Sequence, residues 1–213
     1  MPYLLAIFIS LMTLTGCQSA YYSAMEQVGY HKRDIMVDRV EDAKESQQDA
    51  QEEFSSALEA LSALTNYDGG ELEKMYNKIN AEYEDSEAAA QDVRDRIASI
   101  EDVSAALFEE WQQELDMYSN ASLRNKSAAK MRTTKASYQS MISAMKRAEK
   151  KMTPVLDTLR DNTLYLKHNL NASAIGSLQG EFSDLELDIQ NAINEMNSAI
   201  AESDKFIAHL NDK

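Results

Sequence analysis

The sequence predicts an all-α protein: an elongated antiparallel four-helix bundle, or coiled coil, of long helices. Its 213 residues include only six glycines and two prolines, a scarcity of turn-forming residues that favours long helices over β structure. Apolar or small residues recur at alternating spacings of four and three, the heptad pattern of helices that pack side by side. Polar segments at 66–70, 119–124 and 169–173 interrupt this pattern and divide it into four helices.

The first predicted helix carries an apolar seam between residues 36 and 64. Its members are Met36, Val40, Ala43, Ala50, Phe54, Ala57, Leu61 and Leu64. The polar Gln47 keeps the same spacing. Ser23 and Glu26 fit a capping box, so we expect this helix to begin near Ser23, with Gly29 a weak point inside it.

Three further seams follow. The second extends from Leu72 to Tyr118 and includes Trp111, which is therefore expected in the core. The third, from Met131 to Leu170, keeps its phase across Pro154. A new helix beginning there would normally reset the phase, so we predict one long helix kinked at Pro154. The fourth seam extends from Ile175 to Leu210.

An uncharged apolar segment opens the chain and ends at its only cysteine. Residues 3–14 read YLLAIFISLMTL, which is shorter than the ~20 residues of a transmembrane helix and suits the apolar part of a signal peptide. The following Leu14-Thr15-Gly16-Cys17 resembles the lipobox of bacterial lipoproteins. In that family the cysteine is lipidated and becomes the first residue after cleavage. The alternative is that Cys17 is a buried, inert residue of a helix.

The lipobox resemblance also implies a location. In lipoproteins of this kind an aspartate after the cysteine tends to retain the protein in the inner membrane, so Gln18 implies the outer membrane. We therefore predict a lipoprotein signal peptide at 1–16, a lipid-anchored N-terminal segment at 17–30 and a helical bundle domain at 31–213. The expected location is the periplasmic face of the outer membrane, with Cys17 carrying the lipid.

Charge is unevenly distributed along the chain. The formal net charge is −15, which disfavours binding of the whole protein to nucleic acid or to anionic membranes. Residues 124–167 nevertheless contain eleven basic and three acidic side chains, so the remainder carries −23. We favour internal complementarity between the basic third helix and its acidic neighbours. The alternative is a docking strip for an anionic partner, such as lipopolysaccharide or cell-wall material.

The sequence contains no recognisable catalytic motif. It lacks a phosphate-binding GxxxxGK[ST] loop. The three histidines are far apart and lack the HExxH spacing of zinc enzymes; they are His31, His168 and His209. Adjacent acidic pairs point to diverging helix faces and are expected to be solvated; they are Glu52/Glu53 and Glu109/Glu110. We therefore predict no enzymatic activity and no cofactor.

Three other groups have competing interpretations. Met141, Met145 and Met152 share one stripe, which is typical of a core but also of a thioether site for copper. The polar residues of the last turn are best explained by capping; they are His168, Asn169 and Asn171. Three tyrosines beyond the cysteine fit either a membrane interface or the end of the bundle; they are Tyr21, Tyr22 and Tyr30.

Four segments, together with the lipobox, resemble a family of uncharacterised Gram-negative bacterial lipoproteins known only as a domain of unknown function. The segments are KRDIMVDRV at 32–40, LFEEW at 107–111, SLRNKS at 122–127 and YLKHNLNA at 165–172. The resemblance covers nearly the whole mature chain. It implies an α-helical periplasmic protein and no particular activity.

The predicted function is that of an outer-membrane-anchored periplasmic lipoprotein with a structural or partner-binding role, as a scaffold or adapter. Its expected partners are the membrane, through the lipid on Cys17, and a protein or cell-wall component, with no role for nucleic acid. The alternative is a metal-handling protein for copper or zinc, or a chaperone-like protein that holds apolar ligands between its helices.

Overall fold

The computed structural model describes residues 16–65, 72–169 and 172–211, and almost all of them are helical, with no strand among them. Five helices follow one another: α1 (Gly16–Gln27), α2 (Lys32–Thr65), α3 (Leu72–Met117), α4 (Ala121–His168) and α5 (Ala172–Asn211). The all-α prediction is confirmed, and the four predicted seams lie on α2 to α5. The turn predicted at 66–70 lies outside the described residues.

The four long helices pack into one helical bundle. The packed pairs are α2 with α3, α3 with α4, α4 with α5, and α5 with α2. All four contribute large side chains to one core, and each such burial is worth about 1.5–3 kcal/mol. The largest fully buried side chains are Met36, Phe54, Ile79, Ile100, Met141, Met145, Met152, Leu159, Leu166, Leu185 and Phe206.

The N-terminal boundary of the first predicted helix is wrong. Ser23 lies inside α1, and this helix ends at Gln27 instead of continuing into α2. Gly29 adopts φ +85°, and the N–H of Tyr30 donates to the carbonyl of Met25 at 3.0 Å. This is a Schellman ending, in which a left-handed glycine closes a helix and bonds its last carbonyls.

The predicted second seam is wrong near its C-terminal end, because it extends beyond the residues that are buried in the core. Trp111 is only partly buried, because its indole N–H must reach a hydrogen-bond partner and donates to Ser127 Oγ at 2.8 Å. Leu115 is buried, whereas Tyr118 is exposed and lies beyond the end of α3. The core contacts of this seam therefore end at Leu115.

Helix α4 is continuous through Pro154, which confirms one long helix in place of two. Helix α4 begins at Ala121, inside the segment 119–124 predicted to be a polar turn. The Asn120 side chain caps it by accepting hydrogen bonds from the amides of Ser122 and Leu123, at 2.9 and 3.1 Å. At the other end, the Asn169 side chain donates to the Tyr165 carbonyl, as predicted for capping. Leu170 and Asn171 lie outside the described residues.

A fully buried glutamine interrupts the apolar core of α2. Gln47 has no solvent exposure, and neither polar atom of its side chain has a hydrogen-bond partner among the described residues. Burying a polar group without a partner costs about 1–3 kcal/mol. Its neighbours on the seam, Ala43 and Ala50, are small and buried.

We expect Gln47→Met to raise the free energy of unfolding by about 1–3 kcal/mol, because an apolar side chain of similar length removes the desolvation penalty. Urea denaturation followed by circular dichroism measures this. The matched control is Gln48→Met, at the exposed neighbouring position, which should change stability by less than about 0.5 kcal/mol. A destabilised Gln47→Met variant would contradict the assignment of Gln47 as an unsatisfied core residue.

Candidate functional site

The predicted lipid-attachment residue, Cys17, is the second residue of α1. The predicted signal peptide lies outside the described residues, except for Gly16. Helix α1 therefore joins the predicted anchor to the bundle. The contacts of α1 with α2 and α3 define the candidate site.

A polar cluster around Tyr22 holds α1 against the bundle. The Tyr22 hydroxyl donates to Asp102 Oδ2 on α3 at 2.5 Å. Arg39 on α2 donates from Nη1 to Tyr22 Oη at 3.0 Å and to the carbonyl of Ser99 at 2.6 Å. The Arg39 guanidinium carbon also lies 5.6 Å from the centre of the Tyr22 ring, a cation–π geometry. The three helices thus meet at one tyrosine.

The environment of Tyr22 keeps its hydroxyl protonated. Burial and the hydrogen bond to Asp102 raise the pKa of Tyr22 to about 12, against a smaller opposing effect of Arg39. Tyr22 as a whole is only 3% exposed. The hydroxyl is therefore a stable donor at neutral pH, suited to positioning α1.

A second ion-paired group lies at the turn between α1 and α2. The Lys32 ammonium donates to Glu26 of α1 and, at 3.1 Å, to Glu110 of α3. Burial lowers the pKa of Lys32, but the hydrogen bonds to the two carboxylates raise it more, so it ends above its usual value. The same contact holds the pKa of Glu26 below its usual range. Both ends of this interaction therefore stay charged.

These contacts decide between the interpretations of the tyrosines. Tyr22 is buried, and Tyr30 packs partly buried against the core, so both lie against the bundle. Tyr21 is 46% exposed and contacts the ring of Tyr22 edge-on. For Tyr21 alone, contact with a membrane interface stays a prediction.

Sequence reasoning missed Arg39 and Asp102 as a pair. Arg39 directly precedes the seam residue Val40, and Asp102 directly precedes Val103, which is also buried. The sequence signal that could have indicated this pair is that the two residues have opposite charges and each lies beside a seam residue. They are 63 residues apart, however, and only the register between α2 and α3 brings them together.

The three histidines have separate local roles. His31 is exposed at the start of α2, where its backbone N–H donates to the Asp34 side chain at 3.2 Å. His168 is the exposed last residue of α4. The His209 ring lies 3.2 Å from Thr134 Oγ1. Within the parts of the chain that the structure describes, His, Cys, Asp and Glu form no group of three or more suited to a metal ion.

The methionine stripe lies in the core. Met141, Met145 and Met152 have no solvent exposure and belong to the same cluster of buried apolar residues. Thioethers in such positions fill irregular space between other side chains. The structure thus supports a packing role for these methionines.

Basic side chains of α4 reach acidic residues on both neighbouring helices. Lys146 pairs with Glu101 of α3 at 2.5 Å, and Arg147 pairs with Glu195 of α5 at 3.5 Å. The hydrogen bond to Glu101 raises the pKa of Lys146. Nearer the N-terminus of α4, the ammonium of Lys135 lies 5.9 Å from the centre of the Phe108 ring. Cross-helix pairing of α4 therefore favours internal complementarity.

Acidic side chains line a groove between α2 and α3. The groove has a volume of about 430 Å³ and is lined by Ser46, Asp49, Glu52, Glu53, Asp85, Ala88, Ala89 and Asp92. Burial, and then the nearby Asp85, Glu82, Glu52 and Asp49, raise the pKa of Glu53. Of the two acidic pairs expected to be solvated, Glu52 and Glu109 are exposed. Glu53 and Glu110 are partly buried, and Glu110 binds Lys32.

Comparison with known protein families gives a match over most of this chain. The family model described as "Protein of unknown function (DUF2959)" matches residues 21–210. No match was found among curated proteins or among solved structures. The family match confirms the sequence-based resemblance to a family of unknown function, and the lipoprotein character stays a prediction.

Reversing the paired charges of α4 should destabilise the bundle. We expect the double variant Lys146→Glu/Arg147→Glu to lose about 1–3 kcal/mol at low salt, because two exposed attractions of up to about 1 kcal/mol each become repulsions. The loss should shrink in 1 M salt, where the Debye length is about 3 Å. Urea melts at both ionic strengths measure it.

The matched control is Lys150→Glu/Lys151→Glu. Both lysines are exposed on the same helix, and neither forms an ion pair with another described residue. This control should lose less than about 1 kcal/mol. Equal losses in the two double variants would contradict internal pairing.

Glu53→Gln should stabilise the protein at pH 7, by less than about 1 kcal/mol because the side chain is only half-buried. A raised pKa means that the native state binds the proton more tightly than the unfolded state. Stability is therefore lost as the pH rises from below the ordinary glutamate pKa through the folded pKa. The gain should vanish near pH 3, as measured by urea melts. Glu59→Gln, exposed on the same helix, is the control, and a gain that persists at pH 3 would contradict the electrostatic origin.

Proposed function

Since this chain belongs to the family described as protein of unknown function DUF2959, which transfers no activity, we propose a function from its own residues. The protein is a lipid-anchored scaffold or adapter at the periplasmic face of the outer membrane. It presents the long side faces of a helical rod to a protein or cell-wall partner. The observation that carries this proposal is the length of α3 and α4, 46 and 48 residues, or about 70 Å.

The architecture we propose for the rod is an antiparallel four-helix bundle. Cross-helix pairs support it, because the residue number rises on one helix as it falls on its neighbour. These pairs are Lys32–Glu110 and Asp42–Arg96 for α2 and α3, Lys44–Asp204 and Gln51–Asn197 for α2 and α5, and Ser140–Glu202 and Arg147–Glu195 for α4 and α5. The kink we propose at Pro154 rests on its missing N–H and on the clash of its ring with the Lys150 carbonyl.

The side chains most able to do chemistry support a scaffold role over an enzymatic or metal-handling one. Tyr22, Arg39 and Asp102 are engaged with one another between helices, and the methionine stripe is packed in the core. The side faces, in contrast, carry the acidic groove between α2 and α3 and exposed basic residues of α4, such as Lys150 and Lys151. Such faces suit recognition by charge complementarity, which contributes specificity and association rate.

The partner-binding role is tested by photo-crosslinking in intact cells. Crosslinkers at Lys150 on α4 and at Asp85 in the acidic groove sample two faces, and one at the exposed Leu187 of α5 samples a third. A scaffold should give a discrete product from one face and none from the others. Identical, diffuse labelling from all three positions would contradict a specific partner.

Cys17→Ser should leave an unprocessed or soluble product that is no longer anchored in the outer membrane. Several acyl chains at about 0.8 kcal/mol per buried CH₂ anchor firmly, whereas a polypeptide without them does not. Fractionation of the outer membrane and the mass of the N-terminal residue measure the effect. Ser19→Ala, which keeps the cysteine, should remain membrane-bound and lipidated. A Cys17→Ser variant that fractionates with the outer membrane like the parent would show the anchor to be wrong.

A further inference from the structure

Helix α1 runs back along the bundle instead of extending from it. Its Glu26 lies beside Lys32, at the start of α2, and its Tyr22 lies beside Arg39, farther along α2. Helix α1 therefore runs antiparallel to the first part of α2, with its N-terminus directed toward the middle of α2. The twelve residues of α1 place Gly16 about 18 Å back from the turn.

Few side chains hold α1 in this position. Of those described, Tyr22 is buried and Met25 and Glu26 are partly buried, while the rest are exposed; the rest are Ala20, Tyr21, Ser23, Ala24 and Gln27. A segment with so few buried contacts opens at a lower free energy than the core helices. Arg39 and Asp102 contact each other at 3.3 Å and Lys32 contacts Glu110 at 3.1 Å, so undocking of α1 would leave each of these charges with an opposite charge, while Glu26 would exchange Lys32 for solvent.

The turn that reverses α1 depends on one residue. Gly29 has φ +85°, and a Cβ at that position would meet no atom within 4 Å. The segment 28–31 contains no proline, and Gly29 is its one residue with positive φ, so all four residues can adopt the helical angles that would join α1 and α2. Glycine in a helix interior costs only about 1 kcal/mol relative to alanine.

We propose that α1 is a hinged arm with two positions, docked through Tyr22 on α2 and α3, or extended from α2 as one continuous helix. Extension adds residues 16–31, about 24 Å, to the length of α2. Because α1 also no longer runs about 18 Å back along the bundle, Gly16 moves about 40 Å in total along the bundle axis. If Cys17 carries the lipid, a consequence that rests on the proposed function, the arm sets the distance between the membrane and the rod.

The two positions differ in one measurable distance. Spin labels attached through Ser23→Cys on α1 and Gln91→Cys on α3, both exposed, should lie about 20 Å apart when α1 is docked and about 40 Å apart when it is extended. The full chain is used with Cys17→Ser, so that the only other cysteine is removed. Pulsed electron paramagnetic resonance in detergent gives both populations.

Two variants shift the balance by different means. Tyr22→Phe removes the hydroxyl that bonds to a carboxylate and should raise the extended-to-docked ratio about tenfold. Gly29→Ala touches no contact, but it disfavours the left-handed turn and favours the helix, and should raise the ratio about 30-fold. Tyr21→Phe, the exposed neighbour, is the control and should change the ratio less than about twofold.

The short distance alone in both Tyr22→Phe and Gly29→Ala would overturn the proposal. A broad distribution in place of the long distance would also overturn it, because α1 would then be unfolded instead of extended. Circular dichroism melts that match the parent's verify that the bundle itself is intact. Since the labelled chain carries no lipid, this result is independent of the anchor, and the fractionation of Cys17→Ser is independent of the hinge.

Discussion

Mutual burial of four apolar seams is the interaction on which the rest of this protein depends. Each long helix carries charged residues over most of its surface and one stripe of apolar side chains, and helices of this kind are marginal in water when isolated. Packing α2 to α5 together removes Phe54, Ile100, Met145 and Phe206 from solvent. The polar contacts that join different helices in the described part of the chain lie around that core and depend on its register.

The charges beside the seams take their partners from this packing. Lys146 and Arg147 are adjacent on α4 and point to different neighbours, Glu101 on α3 and Glu195 on α5. A basic helix between two acidic ones is therefore matched on both sides. In the acidic groove between α2 and α3, Asp92 pairs with Arg96 of its own helix, whereas burial and the surrounding carboxylates raise the pKa of Glu53.

The N-terminal helix α1 is held by fewer contacts than the other four helices. The long helices share a continuous core, whereas α1 is held by Tyr22, by Glu26 and by a glycine turn. A helix held by few contacts next to the predicted anchor is suited to motion that the core does not permit. The core of the four long helices thus stabilises the protein, and the junction with α1 is the place where the position of a helix can change.

The sequence by itself determined the helical class, the four long segments and most of the core, because a period of three and four residues is visible locally along the chain. It also predicted the continuity of α4 through Pro154 and the capping role of Asn169. Only the tertiary structure decided the break at Gly29, the partial exposure of Trp111 and the meeting of Tyr22 with Arg39 and Asp102. Those outcomes depend on how helices are rotated and aligned against one another, and contacts between residues up to 80 positions apart leave no local pattern.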